Sequence, residues 1–327
     1  MGERVCNPFT GQTEKEMTRQ NLIPKLKSYF LPAFLFCLFW AIALGLWWAT
    51  DNLFYLANFG YIGTAIAVGI VIYLSLPAKK KPVGRRVAQF LVGTYMLFFL
   101  GLVARENMQI EGFFFYLLAG MFYGAVIHYL VAKIFGVFLF NRGWCGWSCW
   151  TAMILDLLPF KRHRQAPLAT PFWALRYVHF GLSLGLVAIL WWGYGYRVQE
   201  QSVTELAWLL GGNAFYYAIG IALAFLLKDN RAFCKYVCPI PTLQKIPARF
   251  ALLKIAGDQN KCTDCGACTK MCPMDINIPA YLHKGQRVLS TECILCLECI
   301  NVCAKGALTV NLAFDGLRRQ DSASLHS

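Results

Sequence analysis

The amino-acid sequence predicts an all-α membrane domain of six transmembrane helices, followed by a small cysteine-rich α+β domain. Hydrophobic residues make up 57% of the 327 residues and charged residues only 15%, whereas an ordinary soluble domain carries about 25% charged residues. Eight of the 14 cysteines fall between Cys262 and Cys303. A chain of this composition cannot cover itself with polar surface, which excludes a soluble enzyme, a disordered regulator and a collagen-like protein.

Six stretches are long and apolar enough to cross a bilayer, which takes about 20 residues of helix. They lie near residues 29–50, 56–76, 87–104, 113–132, 172–193 and 207–227. The first stretch is too long for the apolar part of a secretory signal, and Glu14 and Glu16 precede it. We therefore expect it to be retained as the first transmembrane helix.

Lysine and arginine are distributed very unevenly between the two sides of these spans. The N-terminal segment, the second and fourth connections and the tail hold 28 of the 31 basic residues, and the opposite loops hold only Arg105 and Arg197. Lys133 lies at the end of the fourth span, where its side chain would extend inward to the surface. Because basic residues mark the cytoplasmic side, both termini are predicted to be cytoplasmic, in a protein of the inner membrane. Topology then explains the net charge of +14, and no nucleic acid partner is needed.

The tail carries one cysteine spacing twice. Residues 262–272 read Cys-x2-Cys-x2-Cys-x3-Cys-Pro, and residues 293–303 repeat the four cysteines, followed by Ala304. This is the spacing of bacterial ferredoxins with two [4Fe-4S] clusters, in which three close cysteines hold one cluster and the fourth ligates the other. The predicted ligand sets are Cys262, Cys265, Cys268 and Cys303 for one cluster, and Cys293, Cys296, Cys299 and Cys272 for the other.

Other interpretations explain less of this pattern. Zinc sites use two Cys-x2-Cys pairs and leave the third cysteine of each motif unexplained. Disulfides are disfavoured in a reducing cytoplasm, and structural cysteines would not fall twice into one spacing. Ala304 stands where proline is usual, but proline is not a ligand, so we expect an altered loop rather than a lost cluster. Two clusters on one small domain indicate single-electron transfer.

A second cysteine-containing unit occurs twice, each time after the cytoplasmic end of a span. Residues 141–149 and 230–238 share the pattern Asn-Arg-x-aromatic-Cys-x-aromatic-x-Cys. If each unit is helical, cysteines four residues apart lie on one face. Two such pairs brought together would form a four-thiolate site at the membrane surface, and the neighbouring Arg142, Arg231 and Lys235 would favour thiolates there. The residues of this predicted site are Cys145, Cys149, Cys234 and Cys238.

Three interpretations of these four cysteines remain open at the level of sequence. They hold a further iron–sulfur or other metal centre, they act as redox-active dithiols, or they are small packing residues without chemistry. Cys6 and Cys37 have no partner at a regular spacing. We expect no role in chemistry for either of them.

Taken together, the two Cys-x3-Cys units at span ends and the two-cluster tail resemble the NapH/NosR/CcoG-type membrane polyferredoxins, over roughly residues 85–310. Family members generally carry Cys-x3-Cys-Pro twice; the second unit conforms with Pro239, while Trp150 follows the first. The resemblance implies electron transfer between the quinone pool and a respiratory reductase, as in NapH-type members. It also implies an alternative, because CcoG-type members are linked to copper reduction during oxidase assembly. The large outer flavin domain of NosR-type members has no counterpart in this sequence.

Three polar residues of the spans are candidates for a quinone site. His128 lies near the inner end of the fourth span, and Arg176 and His179 share one face of the fifth. Ionisable groups at membrane depth are candidate functional residues, and a histidine could exchange the proton that accompanies each electron of menaquinone or ubiquinone. A haem between the two histidines is a rarer alternative, and helix-to-helix hydrogen bonding without a ligand is another.

These features divide the chain into five parts. They are a cytoplasmic segment 1–28, a membrane domain 29–228, a second-unit linker 229–257, a two-cluster ferredoxin domain 258–312 and a tail 313–327. The function that fits best is an electron-transfer protein, a subunit of an oxidoreductase complex that connects membrane quinone to cytoplasmic iron–sulfur clusters and a redox partner protein. A copper reductase and a non-redox membrane anchor are the alternatives.

Overall fold

A computed structural model of the chain describes residues 29–122, 124–160, 170–198 and 202–315. The expected cytoplasmic segment 1–28 with Cys6, the basic residues at 161–164 and residues 316–327 of the expected tail lie outside the described residues. The elements are, in chain order, α1 (Phe30–Thr50), α2 (Leu53–Ser75), α3 (Lys81–Val103), α4 (Ile110–Leu118), α5 (Gly124–Phe140), α6 (Gly143–Trp147), α7 (Trp150–Leu155), α8 (Phe172–Gly193), α9 (Val203–Leu227), α10 (Ala232–Tyr236), α11 (Ile240–Arg249), β1 (Leu253–Gly257), α12 (Ala267–Lys270), α13 (Ile278–His283), α14 (Glu298–Val302) and β2 (Leu308–Leu312).

Five of these helices, α1, α2, α3, α8 and α9, are long and apolar enough to cross a membrane. They correspond to the first, second, third, fifth and sixth predicted spans, and the chain is a multi-pass membrane protein. Local sequence fixes some of their ends. The Asn52 side chain accepts a hydrogen bond from the Phe54 amide at 2.9 Å at the start of α2, and Ser202 does the same for Thr204 at 3.1 Å at the start of α9.

The prediction of a continuous fourth span over 113–132 is wrong. The chain forms two shorter helices, α4 and α5, and the break between them includes Gly120 in the left-handed region at φ 68°. Gln109, just before α4, packs against Gly212 in the middle part of α9: a Cβ on Gly212 would lie 3.1 Å from the Gln109 side chain. The segment before α4 therefore re-enters the membrane domain instead of staying in an outer loop.

Specific contacts hold this re-entrant segment. The Glu106 carboxylate accepts a hydrogen bond from the Ala125 amide at 2.6 Å, and the Asn107 amide donates to the Tyr116 hydroxyl at 3.2 Å. Gly112 is required because a Cβ there would lie 2.1 Å from the Asn107 carbonyl oxygen. Irregular backbone at membrane depth is stable only where protein groups satisfy it, and these contacts meet that need.

The tail forms a small α+β unit, the ferredoxin tail, residues 253–315. Strands β1 and β2 pair antiparallel with Leu253 opposite Leu312, and α12, α13 and α14 carry or flank the cysteine loops. Its core contains four cysteines among apolar side chains such as Ile255, Tyr281 and Leu308. The sheet includes β1, so the tail unit begins a few residues before residue 258, the predicted start of the ferredoxin domain.

Candidate metal centres

The second cysteine loop of the tail surrounds a cavity, called here the tail cavity. Cys293, Cys296 and Cys299 line it together with Cys272 from the first motif, around a volume of about 20 Å³. All four are buried. These are the four residues that the spacing predicts as one ligand set, so the fourth cysteine of the first motif reaches the second loop as expected.

The two cysteine loops share one backbone pattern. Asp264 and Leu295 occupy matching positions with φ of 52° and 46°, and Gly266 and Leu297 match with φ of 68° and 65°. A left-handed conformation costs a non-glycine residue roughly 1–2 kcal/mol, so the leucines are held there by their surroundings. The tight turns bring the thiols of one loop to one side.

The first loop lies nearer the surface. Cys262, Cys268 and Cys303 lie close together: burial, with smaller contributions from negative charge on Cys262 and Cys303, raises the pKa of Cys268 to about 11. The Cys303 sulfur accepts a hydrogen bond from the Ala307 amide at 3.3 Å. These three cysteines and Cys265 are half-buried, in contrast to the buried set of the tail cavity.

The repeated units fold alike but are only partly helical. Cys145 lies in the five-residue helix α6 and Cys234 in the five-residue helix α10, while Cys149 and Cys238 follow just beyond the helix ends. The prediction that each pair lies on one helical face depended on both cysteines being helical, and this condition is not met, because only the first cysteine of each pair lies in a helix. The Arg231 guanidinium links the units by donating to the Cys145 carbonyl at 3.1 Å.

All four repeat cysteines line one cavity of about 40 Å³, called here the membrane-side cavity. Among the described residues, no three His, Cys, Asp or Glu side chains are gathered tightly enough to hold a single metal ion. The four thiols instead surround a space, which suits a larger group such as an iron–sulfur cluster. Sequence alone left a metal centre, dithiols and simple packing open, and the shared cavity supports the first.

The charges around the membrane-side cavity are mostly positive. Arg142, Arg231 and Lys133 line it. Burial opposes ionisation of Cys145, but Lys133 and Arg142 outweigh burial and lower the pKa of this thiol, whereas burial raises the pKa of Cys234 to about 11. Thiolate ligands give an iron–sulfur cluster negative charge, and cations around the cavity would stabilise it.

Two of these cations have buried carboxylate partners. Arg231 donates to Asp156 at 2.6 and 2.7 Å, and Arg142 pairs with Glu292 at 2.5 Å. Lys133 is only 3% exposed and lies 5.9 Å from the ring centres of Trp144 and Trp150. No carboxylate in the described part of the chain forms an ion pair with it. The side chain is buried, so the prediction that Lys133 extends inward to the membrane surface is wrong.

The two cavities are neighbours. Ile294 lines both of them. The Trp147 indole donates to the Leu295 carbonyl at 2.9 Å, and a Cβ on Gly146 would lie 2.3 Å from the Ile294 carbonyl oxygen. The loop between Cys293 and Cys296 thus rests directly on α6 of the membrane domain, and a glycine permits this approach.

Glu292 fastens the tail to the membrane domain. Its carboxylate receives Arg142 from the first repeat unit and Arg176 from α8 at 2.5 and 2.7 Å, with Lys245 at 3.7 Å. Lys235 makes a second link, because it pairs with Asp229 at 2.5 Å and also with Asp275 of the tail. Sequence reasoning did not identify Glu292, Asp156 or Lys133 as site residues.

The three residues predicted for a quinone site have separate surroundings. His128 packs against Trp144 with ring centres 4.9 Å apart, and its buried Nε2 has no hydrogen-bond partner among the described residues. Arg176 is engaged by Glu292, and the Nδ1–H of His179 donates to the Val237 carbonyl at 2.8 Å. None of the three lines the membrane-side cavity.

Comparison with known families identifies both cysteine regions. A family described as a 4Fe-4S dicluster domain matches residues 254–304, the ferredoxin tail. A second family, described as a 4Fe-4S binding domain, matches residues 124–167 and 208–256, which contain the two repeat units. No solved structure matches the chain.

Several curated proteins are similar to this chain over part of their length, and three of them illustrate the range. The uncharacterized protein MJ0749 of Methanocaldococcus jannaschii is 31% identical over 188 residues, 55% of this chain and 70% of that protein. The ferredoxin-type protein NapH of Haemophilus influenzae is 27% identical over 59% of this chain and 68% of its own length. The regulatory protein NosR of Pseudomonas aeruginosa is 28% identical over 49% of this chain but only 24% of its own length. With its apolar helices, its dicluster tail and these relatives, the chain belongs to the family of 4Fe-4S ferredoxin-type membrane proteins related to NapH and NosR.

Proposed function

We propose that this chain carries single electrons between a donor in the membrane, of the quinol class, and a partner protein that docks on the ferredoxin tail. Three cysteine sets would hold iron–sulfur clusters for this purpose. When bound, such clusters accept and release one electron at a time. The observation that carries the proposal is the adjacency of the membrane-side cavity and the tail cavity, which share Ile294 as a wall.

The chain's own residues arrange these sets one after another. The repeat units hold the membrane-side cavity between α5, α9 and α11, and the second loop of the tail comes next. The cysteines of the tail cavity are buried, whereas the repeat cysteines and the loop with Cys262, Cys265 and Cys268 are half-buried. The set of the tail cavity is therefore the best shielded from water, while the half-buried first loop of the tail gives a protein partner a place to approach.

The proposed membrane partner is a quinone near the tail side of the spans, with lipid around the apolar helices. His128 has a buried ring nitrogen free to bind a head group, and Arg176 and His179 remain proposed quinone contacts. The distribution of basic residues supports a cytoplasmic tail in the inner membrane of the cell. A role in a respiratory or reductase complex, in anaerobic respiration, is what the resemblance to NapH-type proteins implies, and it belongs to this proposal.

The number of centres tests the proposal directly. Anaerobically purified protein should contain about twelve irons and about twelve acid-labile sulfides per chain, whereas the tail alone accounts for about eight of each. Replacing Cys145, Cys149, Cys234 or Cys238 with serine should remove the same spectral signal in each case and leave the other two. Reduction by a reduced quinone analogue should slow in each of these variants.

Cys37 provides the matched control, because it is an exposed cysteine of α1 outside every candidate site. Cys37→Ser should keep the iron content and the reduction rate of the wild type. About eight irons together with unchanged spectra in all four repeat variants would reject the third centre. Copper bound by the repeat cysteines in place of iron would favour the metal-reductase function instead.

A further inference from the structure

The wall of the membrane-side cavity contains polar side chains from elements that carry none of its cysteines. Gln109 comes from the re-entrant segment before α4, Lys133 from α5 and Tyr216 from α9. Each is more than nine-tenths buried, with exposures of 4%, 3% and 7%. Three separate elements of the membrane domain therefore converge on the space between the four thiols.

These side chains have hydrogen-bonding capacity that the described residues leave unused. The Gln109 Nε2 and the Tyr216 hydroxyl have no hydrogen-bond partner, and the Lys133 ammonium has no carboxylate partner. Leaving a buried neutral donor unsatisfied costs about 1–3 kcal/mol, and an unpaired charge costs more. Two unsatisfied donors, together with a buried cation that contacts only tryptophan rings among the described residues, indicate a negatively charged acceptor inside the cavity.

We propose that Gln109, Tyr216 and Lys133 face the group held by the four repeat cysteines and raise its reduction potential. This inference rests on the proposed third iron–sulfur centre. A one-electron reduction would add one negative charge to the bound group as a whole and break no bond, and all three side chains would keep their protons. Donors and a cation stabilise the reduced form more than the oxidised form, so they favour electron uptake. The electron comes from a reductant of the quinol class.

The tail cavity provides a contrast within the same chain. Apart from the four cysteines, the residues that line it are apolar, among them Ile255, Met274 and Val288. Side-chain donors therefore distinguish the membrane-side centre from its neighbour. If the proposal is correct, the break between α4 and α5 has a function, because one continuous helix would not place Gln109 at the cavity.

A redox titration followed by electron paramagnetic resonance tests this inference on the full-length protein. Gln109→Leu and Tyr216→Phe should each shift the ratio of reduced to oxidised centre about tenfold toward the oxidised form at a given potential, a fall of about 59 mV for a one-electron couple. Lys133→Met should shift it in the same direction by at least as much. The signals of the two tail centres should not move.

Two controls separate a local effect from a general one. Gln89 is buried in α3 with both amide atoms unpartnered but does not line the cavity, and Tyr95 donates to Asn58 at 3.0 Å elsewhere in the membrane domain. Gln89→Leu and Tyr95→Phe should leave the potential of the third centre unchanged.

The outcomes are distinguishable. A third signal in the wild type whose potential is the same in Gln109→Leu, Tyr216→Phe and the controls would overturn this inference while the proposed function stands. If Gln109→Leu fails to assemble the centre, Tyr216→Phe decides, because it removes a single oxygen atom. A wild-type protein without a third signal would overturn both proposals.

Discussion

Replacing Glu292 with glutamine should loosen the ferredoxin tail from the membrane domain. The carboxylate lies between Arg142 and Arg176, whose side chains are 1% and 0% exposed. Removing one partner of a buried ion pair costs about 3–5 kcal/mol, because the remaining charge has no compensation. In Glu292→Gln two guanidinium groups lose their carboxylate, so we expect a loss of docking stability in this range.

Hydrogen exchange of the tail amides measures this loss at equilibrium. If exchange in β1, β2 and α13 proceeds through undocking, a change of about 3–5 kcal/mol accelerates it roughly a hundred- to several-thousand-fold. Iron content must be equal in both proteins, so that lost clusters are not mistaken for lost docking. Lys261→Gln is the matched control, since it breaks an exposed pair with Asp258 at 3.4 Å; such pairs contribute about 0–1 kcal/mol.

The result that would refute this reasoning is a Glu292→Gln variant whose tail amides exchange as slowly as those of Lys261→Gln. Glutamine would then satisfy both arginines as a neutral acceptor, and the interface would depend on its apolar contacts. Faster exchange confined to the membrane helices would also contradict the assignment of Glu292 as the fastening residue.

Three further predictions follow from the same geometry. The buried site opposes ionisation, but Arg142 and Arg176 lower the pKa of Glu292 from 4.5 to about 2; its contribution is therefore complete above pH 4.5 and lost as the pH falls toward 2, and the exchange difference between wild type and Glu292→Gln should shrink below pH 4.5. Gly146→Ala would place a Cβ 2.3 Å from the Ile294 carbonyl oxygen and should cost about 1–3 kcal/mol of docking stability by hydrogen exchange, whereas Gly181→Ala, with open space around it, should change nothing. Cys303→Ser should abolish the paramagnetic signal of the tail centre that Cys262, Cys265 and Cys268 hold. Cys272→Ser should abolish the signal of the centre that Cys293, Cys296 and Cys299 hold, and the opposite pairing would show that the crossed ligand sets are wrong.

The sequence signals that the fold reflects most directly are apolar length and cysteine spacing. Apolar length alone predicts five of the six spans, and the described part of the chain contains five helices of that length and composition. The crossed set of Cys272 with the second loop follows from the spacing, and the tail cavity brings these four residues together. Both kinds of signal are local, so one sequence suffices to read them.

The fourth crossing shows where this reasoning stops. Mean hydropathy over 113–132 does not register a left-handed glycine at position 120, and it assigned Asn107 and Gln109 to an outer loop by their polarity. In the fold their polar groups are enclosed by other helices, which hydropathy along one segment cannot express. Two polar side chains directly before a short apolar helix were the available signal of a re-entrant segment.

Long-range charge pairing was equally invisible. Arg142 and Arg231 occupy the same position of the two repeat units, and each pairs with a buried carboxylate in the fold. Nothing near either arginine in sequence marks Glu292 or Asp156 as that partner, because these pairs form only when distant segments pack. The burial of Lys133 was invisible for a related reason, because the cavity that encloses it is lined by residues of six separate helices and of several loops.

The split fourth crossing also affects how the protein enters its membrane during synthesis. Helices α4 and α5 are each shorter than the about 20 residues that a spanning helix needs, so neither has enough apolar length to be stable across a bilayer alone. Helix α4 packs against α8 and α9, and α5 packs against α11, all of which leave the ribosome later. We therefore expect this hairpin to insert last among the crossings, after the segments that follow it in the chain, and to complete the cavity only when the remaining helices have gathered around it.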